Sequence, residues 1–149
     1  MAFVQNFPFF SIILTLFSGP LSSILGGKAA RRLNIAVISA VGLMSAAVLA
    51  FVIGSGEPYV YMMGHFSAPW GNEIRVGVLE AFMAVFFCVV MFFCVISGGQ
   101  ERAREIESSK QNLFYVMVNL LLCSLIALVY TNDIFTAYVF IEMNTIAAC

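Results

Sequence analysis

Apolar residues run along this chain in five blocks, at about 7–25, 33–53, 76–97, 113–130 and 134–149, separated by polar or glycine-rich stretches. A helix rising about 1.5 Å per residue needs about 20 apolar residues to cross a hydrocarbon core, and the first four blocks have that length. The pattern predicts an all-α membrane protein of about five transmembrane helices, with 1–149 forming one transmembrane unit.

The punctuation between blocks sets the expected topology. Gly19-Pro20 lies inside the first block and predicts a kink, because proline removes a donor and crowds the preceding turn. Gly26-Gly27 is expected to end that helix, with Lys28, Arg31 and Arg32 in a short loop. Basic loops stay cytoplasmic, so the N-terminus is expected outside. The opening residues carry no Lys or Arg and lack the positive start of a secretory signal, which predicts an uncleaved first span.

In the second block Gly42, Ala46 and Ala50 recur every fourth residue, a small-residue face for close helix approach. The long connection over 54–75 carries Tyr59, Tyr61, Phe66 and Trp70, the aromatic enrichment of a membrane boundary, and 59–63 could form a short strand. The third block is rich in Phe and Met, as lipid contact and helix packing require. Gly98-Gly99 is expected to close it, and the charged run over 100–111 then suits an interfacial helical turn on the cytoplasmic side.

Composition sharpens this picture. Hydrophobic residues make up 62% and charged residues 10%, against about a quarter charged in soluble domains. The net charge is −1, and no basic patch interleaves with aromatics, so no nucleic-acid partner is expected. The four cysteines, Cys88, Cys94, Cys123 and Cys149, show no CxxC or Cys/His spacing, and His65 stands alone in a loop. No metal site, cofactor, nucleophile–base pair or phosphate loop is expected, and the chain is not read as catalytic by itself.

Candidate chemistry concentrates in the last block. Glu142 is an acid inside an apolar span, where a charge is penalised by about 2.5–3.5 kcal/mol on insertion scales. Tyr138, Glu142 and Thr145 share a helix face, as a hydrated proton or ion path would require. A protonated Glu hydrogen-bonded to a neighbour, without transport, is the alternative. Secondary candidates carry structural readings beside the functional ones. Glu80, early in the third helix, suits a helix-dipole cap or a path lining. Asn119, on a face with Tyr115, Cys123 and Tyr130, suits an interhelical hydrogen bond. Asp133 suits the N-cap of the fifth helix. The fifth block is shorter than a full span, which predicts that helices beyond Cys149, in this or another polypeptide, complete the fold.

The stretch TNDIFTAYVFIEMNTIAAC resembles the helix-five region of antiporter-like membrane subunits: the D-type subunit of Mrp Na⁺/H⁺ antiporters, subunits of membrane-bound hydrogenases, and the proton-pumping subunits of respiratory complex I. APWGNEIRVGVLEAFMAVFF is similar to that family's Pro-Gly segment leading into a helix with an early acid, here Glu80. The resemblance implies that Glu142 is a proton-handling acid working with a lysine on a later helix, which none of the five blocks contains. It implies an N-terminal segment of an H⁺- and/or Na⁺-translocating subunit in an energy-converting complex of the prokaryotic cell (inner) membrane. Its partners would be the bilayer and other membrane subunits. A non-transporting structural subunit, or a remnant that only packs against others, stays open as the alternative.

Overall fold

The computed structural model describes residues 2–62, 73–97 and 110–149. A short α1 (Ala2–Gln5) leads into α2 (Phe7–Ile24), α3 (Gly27–Ser55), α4 (Val78–Ser97), α5 (Gln111–Tyr130) and α6 (Ile134–Ala148), with strands β1 (Tyr59–Met62) and β2 (Glu73–Val76) between α3 and α4. Among the described residues α2, α3, α4 and α5 are long and apolar enough to cross a membrane, and α6 is a shorter apolar helix. The protein is an all-α membrane protein with one small hairpin.

The four long helices pack as neighbours: α2 against α3 and α5, α3 against α4, and α4 against α5, with α6 laid on α5. Each presents residues three or four apart to the centre. On α3 these are Ala30, Asn34, Val37, Ile38, Val41, Ser45, Val48 and Val52. On α4 they are Ala81, Ala84, Cys88, Met91 and Val95, while Phe82, Phe86 and Phe93 point outward, as lipid contact requires. The predicted α5 face is the buried one, with Tyr115, Asn119, Cys123 and Tyr130 all inside.

The inner face of α2 is polar: Ser11, Thr15, Ser18 and Ser22 are all buried. Every one of these hydroxyls donates to a carbonyl of its own helix, at 2.8 Å to Phe7, Ser11, Thr15 and Ser18 respectively. The stripe therefore adds no unsatisfied donor, and its small side chains let α5 approach closely. A Cβ on Gly19 would meet Leu120 Cδ2 at 3.7 Å and the Val116 carbonyl at 3.9 Å. The helix assignment runs on through Pro20.

Two boundaries differ from expectation. Lys28, Arg31 and Arg32 are not in a loop: α3 begins at Gly27, with Gly26 as its extended N-cap, and takes all three into its first turns. Ala, Lys and Arg are good helix formers, so their polarity ends the apolar block without ending the helix. At the other end α3 continues to Ser55 and is closed by Gly56, whose left-handed φ of 72° lets its N–H reach the Val52 carbonyl at 3.0 Å. On the small-residue face of α3 a Cβ at Gly42 would lie 3.5 Å from Cys88 Cβ of α4. Ala46 lines an open apolar groove of about 590 Å³ between α3 and α4.

The strand expected at 59–63 is β1, and its antiparallel partner β2 was not foreseen; Tyr59 pairs with Val76 and Met62 with Glu73. Ile74 and Val76 turn inward, and Ile74 also bridges Thr131 in the α5–α6 turn. Asn132 locks that turn down, its N–H donating to the Glu73 carbonyl at 2.9 Å and its Nδ2 to Glu73 Oε1 at 3.0 Å. Burial against Phe51 and the N-terminal helices pushes the Tyr59 phenol up to about 12. His65, Phe66, Trp70, Gly98-Gly99 and the charged run up to residue 109 lie outside the described residues.

Candidate ion-path face on the last helix

The site is built from the helix start. Asp133 caps α6: its carboxylate accepts from Phe135 N at 3.4 Å, Thr136 N at 3.2 Å and the Thr136 hydroxyl at 2.9 Å. The Thr136 hydroxyl bond, helped by those backbone donors, holds the Asp133 carboxyl below the usual range. This is the capping role the sequence suggests.

One face of α6 is fixed against α5. Phe140 and Met143 pack on the core, and Ser124 Oγ lies 3.4 Å from Asn144 Oδ1. That docking settles the rotation of the helix. Tyr138, Glu142 and Thr145 consequently point away from the other described helices, with Tyr138 63% exposed. The three share that exposed face, and the Thr145 hydroxyl donates to the Glu142 carbonyl at 2.7 Å.

The described residues therefore leave Glu142 exposed where burial was expected. Its side chain is exposed, because the inner face of α6 is taken by larger apolar groups and Asn144. None of the described cations lies on α6: Lys28, Arg31 and Arg32 start α3, Arg75 lies on β2, and Lys110 precedes α5.

The secondary candidates fall at separate places. Glu80 sits in the first turn of α4 and folds back over Gly77, where a Cβ would come within 2.5 Å of Glu80 Oε2. That is a carboxylate over a helix start, favoured by the dipole. Asn119 lies in the core and donates from Nδ2 to Ser22 Oγ at 3.2 Å, an α2–α5 link. Neither is brought to Glu142.

Two buried polar groupings escaped the sequence reading. Asn34 on α3 donates to the Tyr115 carbonyl at 3.3 Å, one turn from Asn119, and the Oδ1 atoms of both Asn34 and Asn119 have no partner. Between α3, α4 and α5, Ser45, Cys88 and Tyr130 converge near Glu80, and Ser45 Oγ and the Tyr130 hydroxyl also lack hydrogen-bond partners. An Asn or Ser in an apolar run signals polarity, but only the packing tells whether a partner meets it. Among the described residues no group of three or more His, Cys, Asp or Glu could hold a metal ion.

The fold and the polar faces define a polytopic helical membrane protein. With a TM-score of 0.80 and 20% identity, it superposes on a chain of the membrane-bound sulfane sulfur reductase, an archaeal respiratory membrane complex, covering 99% of this chain and 29% of that one. In sequence it is 30% identical to NADH-quinone oxidoreductase subunit N of Desulforudis audaxviator (strain MP104C), over 79% of this chain and 23% of that protein. The chain thus spans less than a third of each. No family model matches it.

Proposed function

We propose that this chain is the N-terminal segment of an antiporter-like subunit of an energy-converting membrane complex, one that moves H⁺ and/or Na⁺, with Glu142 as its proton-handling acid. Two similarities support the reading, one in sequence to a subunit of NADH-quinone oxidoreductase and one in fold to a chain of a respiratory complex. The observation that carries it is the orientation of α6. An acid on an apolar helix faces outward, beside Tyr138 and Thr145, where the described residues supply no partner base.

A carboxylate facing lipid alone is costly, so that face is built to be met by further protein or water. A lysine approaching it would favour the ionised form, and its withdrawal the protonated one, which makes the pair a gate for protons. Redox chemistry, in this reading, belongs to partner subunits in a prokaryotic cell membrane.

Glu142→Gln tests the assignment, since it keeps the shape and removes the charge. In membrane vesicles holding the whole complex, substrate-driven ion movement is expected to fall severely while the complex stays assembled. Unchanged ion movement would refute the role and favour a subunit that only packs against its neighbours.

A further inference from the structure

We propose that α2, α3 and α5 enclose a water-binding site between the side-chain amides of Asn34 and Asn119. Both residues are fully buried, and the Oδ1 atom of each has no hydrogen-bond partner among the described residues. The two amides meet at one carbonyl of α5. Asn34 Nδ2 donates to the Tyr115 oxygen at 3.3 Å, and in a continuous helix the Asn119 N–H bonds to that same oxygen.

Exchanging the oxygen and nitrogen of either amide does not remove the deficit. Turning Asn34 over sets its oxygen against the Tyr115 carbonyl, two acceptors face to face. Turning Asn119 over sets its oxygen against Ser22 Oγ, whose proton is already on the Ser18 carbonyl. The other hydroxyls of the α2 face are spent in the same way, Ser11, Thr15 and Ser18 each donating to a carbonyl of their own helix. Two buried acceptors are left without a donor among the described residues, and surrounding lipid offers none.

Water fits this chemistry better than a metal ion. One molecule carries two donor hydrogens, and buried waters bridge otherwise unsatisfied polar groups in this way. None of α2, α3 and α5 contains Asp or Glu, so a cation between them would be buried without a compensating charge.

Asn112 marks the way in. It lies seven residues before Asn119, on the same side of α5, and is half-buried. Its Nδ2 donates to the Leu25 carbonyl just past α2, and its Oδ1 is a third acceptor without a partner among the described residues. Water following that side of α5 passes from Asn112 to the Asn34–Asn119 pair. The site is separate from Glu142 and does not depend on a transport role for that residue.

A cryo-electron microscopy map of the whole complex, at a resolution that shows ordered water, tests the site. A peak is expected within about 2.5–3.0 Å of both oxygens. Asn34→Leu should abolish it and leave the Asn119–Ser22 bond in place. In solution, hydroxyl radicals generated by X-rays from bound water should label Tyr115 several-fold less in Asn34→Leu than in wild type. If that variant does not assemble, the wild-type map decides by itself.

The absence of a peak between the two oxygens would overturn the proposal, as would a direct contact between the amides or an Arg102 or Arg104 side chain donating to either oxygen. A peak that appears only with added Na⁺ would make the ligand a cation and overturn it too. So would unchanged labelling of Tyr115 in Asn34→Leu.

Discussion

Asn119 on α5 donates from Nδ2 to Ser22 Oγ on α2 across 3.2 Å, and both side chains are fully buried. Ser22 spends its own proton on the Ser18 carbonyl, so its oxygen is free to accept from Asn119 and the amide is oriented by the chain. Interhelical bonds of this kind average about 0.6 kcal/mol and reach about 1.7. Asn119→Leu should therefore destabilise the protein by about 1 kcal/mol, and Ser22→Ala by less than about 1.5, as read by unfolding in mixed micelles. A double variant no worse than the poorer single one is expected, because the two remove the same bond.

Close approach of α2 and α5 depends on Gly19. Its Cβ position is 3.7 Å from Leu120, an ordinary contact, so Gly19→Ala should leave stability within about 1 kcal/mol of wild type. Gly19→Leu has no room and should cost about 1–3 kcal/mol through overpacking. Equal melting temperatures for the two variants would contradict the packing of α2 on α5.

Tyr130 carries a buried hydroxyl without a hydrogen-bond partner. Removing an unsatisfied polar group is nearly neutral or favourable, so Tyr130→Phe should change stability by less than about 0.5 kcal/mol or increase it. A loss of more than about 1 kcal/mol would show that Ser45 or Glu80 engages the hydroxyl.

Asp133 supplies a pH dependence. The Thr136 hydroxyl and the first backbone N–H groups of α6 lower its carboxyl in the folded state. Such a group contributes stability above the unfolded value of about 3.9, and that contribution disappears as pH falls through the lower folded value. Wild type should lose stability relative to Asp133→Asn between about pH 4 and the more acidic range, with little difference in trend above pH 5. Melting temperatures collected from pH 6 to 3 decide it; parallel curves would show that the cap is not charged-state dependent.

The number and order of the membrane helices were legible in the chain, because length and apolar content are local properties that lipid reads directly. The Asp133 cap was legible for the same reason, its partners lying two and three residues away. So was the inner face of α5, where periodicity alone aligns Tyr115, Asn119, Cys123 and Tyr130. Strand β2 was hidden, since Glu73–Val76 becomes a strand only through pairing with β1 and bridging to Thr131.

What only the tertiary structure decided is which side of each polar group meets a partner. Helical spacing places Tyr138, Glu142 and Thr145 on one face of α6, but the docking of Phe140, Met143 and Asn144 on α5 turned that face outward. Spacing likewise marks Asn119 as polar at depth and is silent about Ser22, far away in the chain. Secondary structure in lipid follows from backbone bonds closed within a segment, whereas burial is a relation between segments and exists only once they pack.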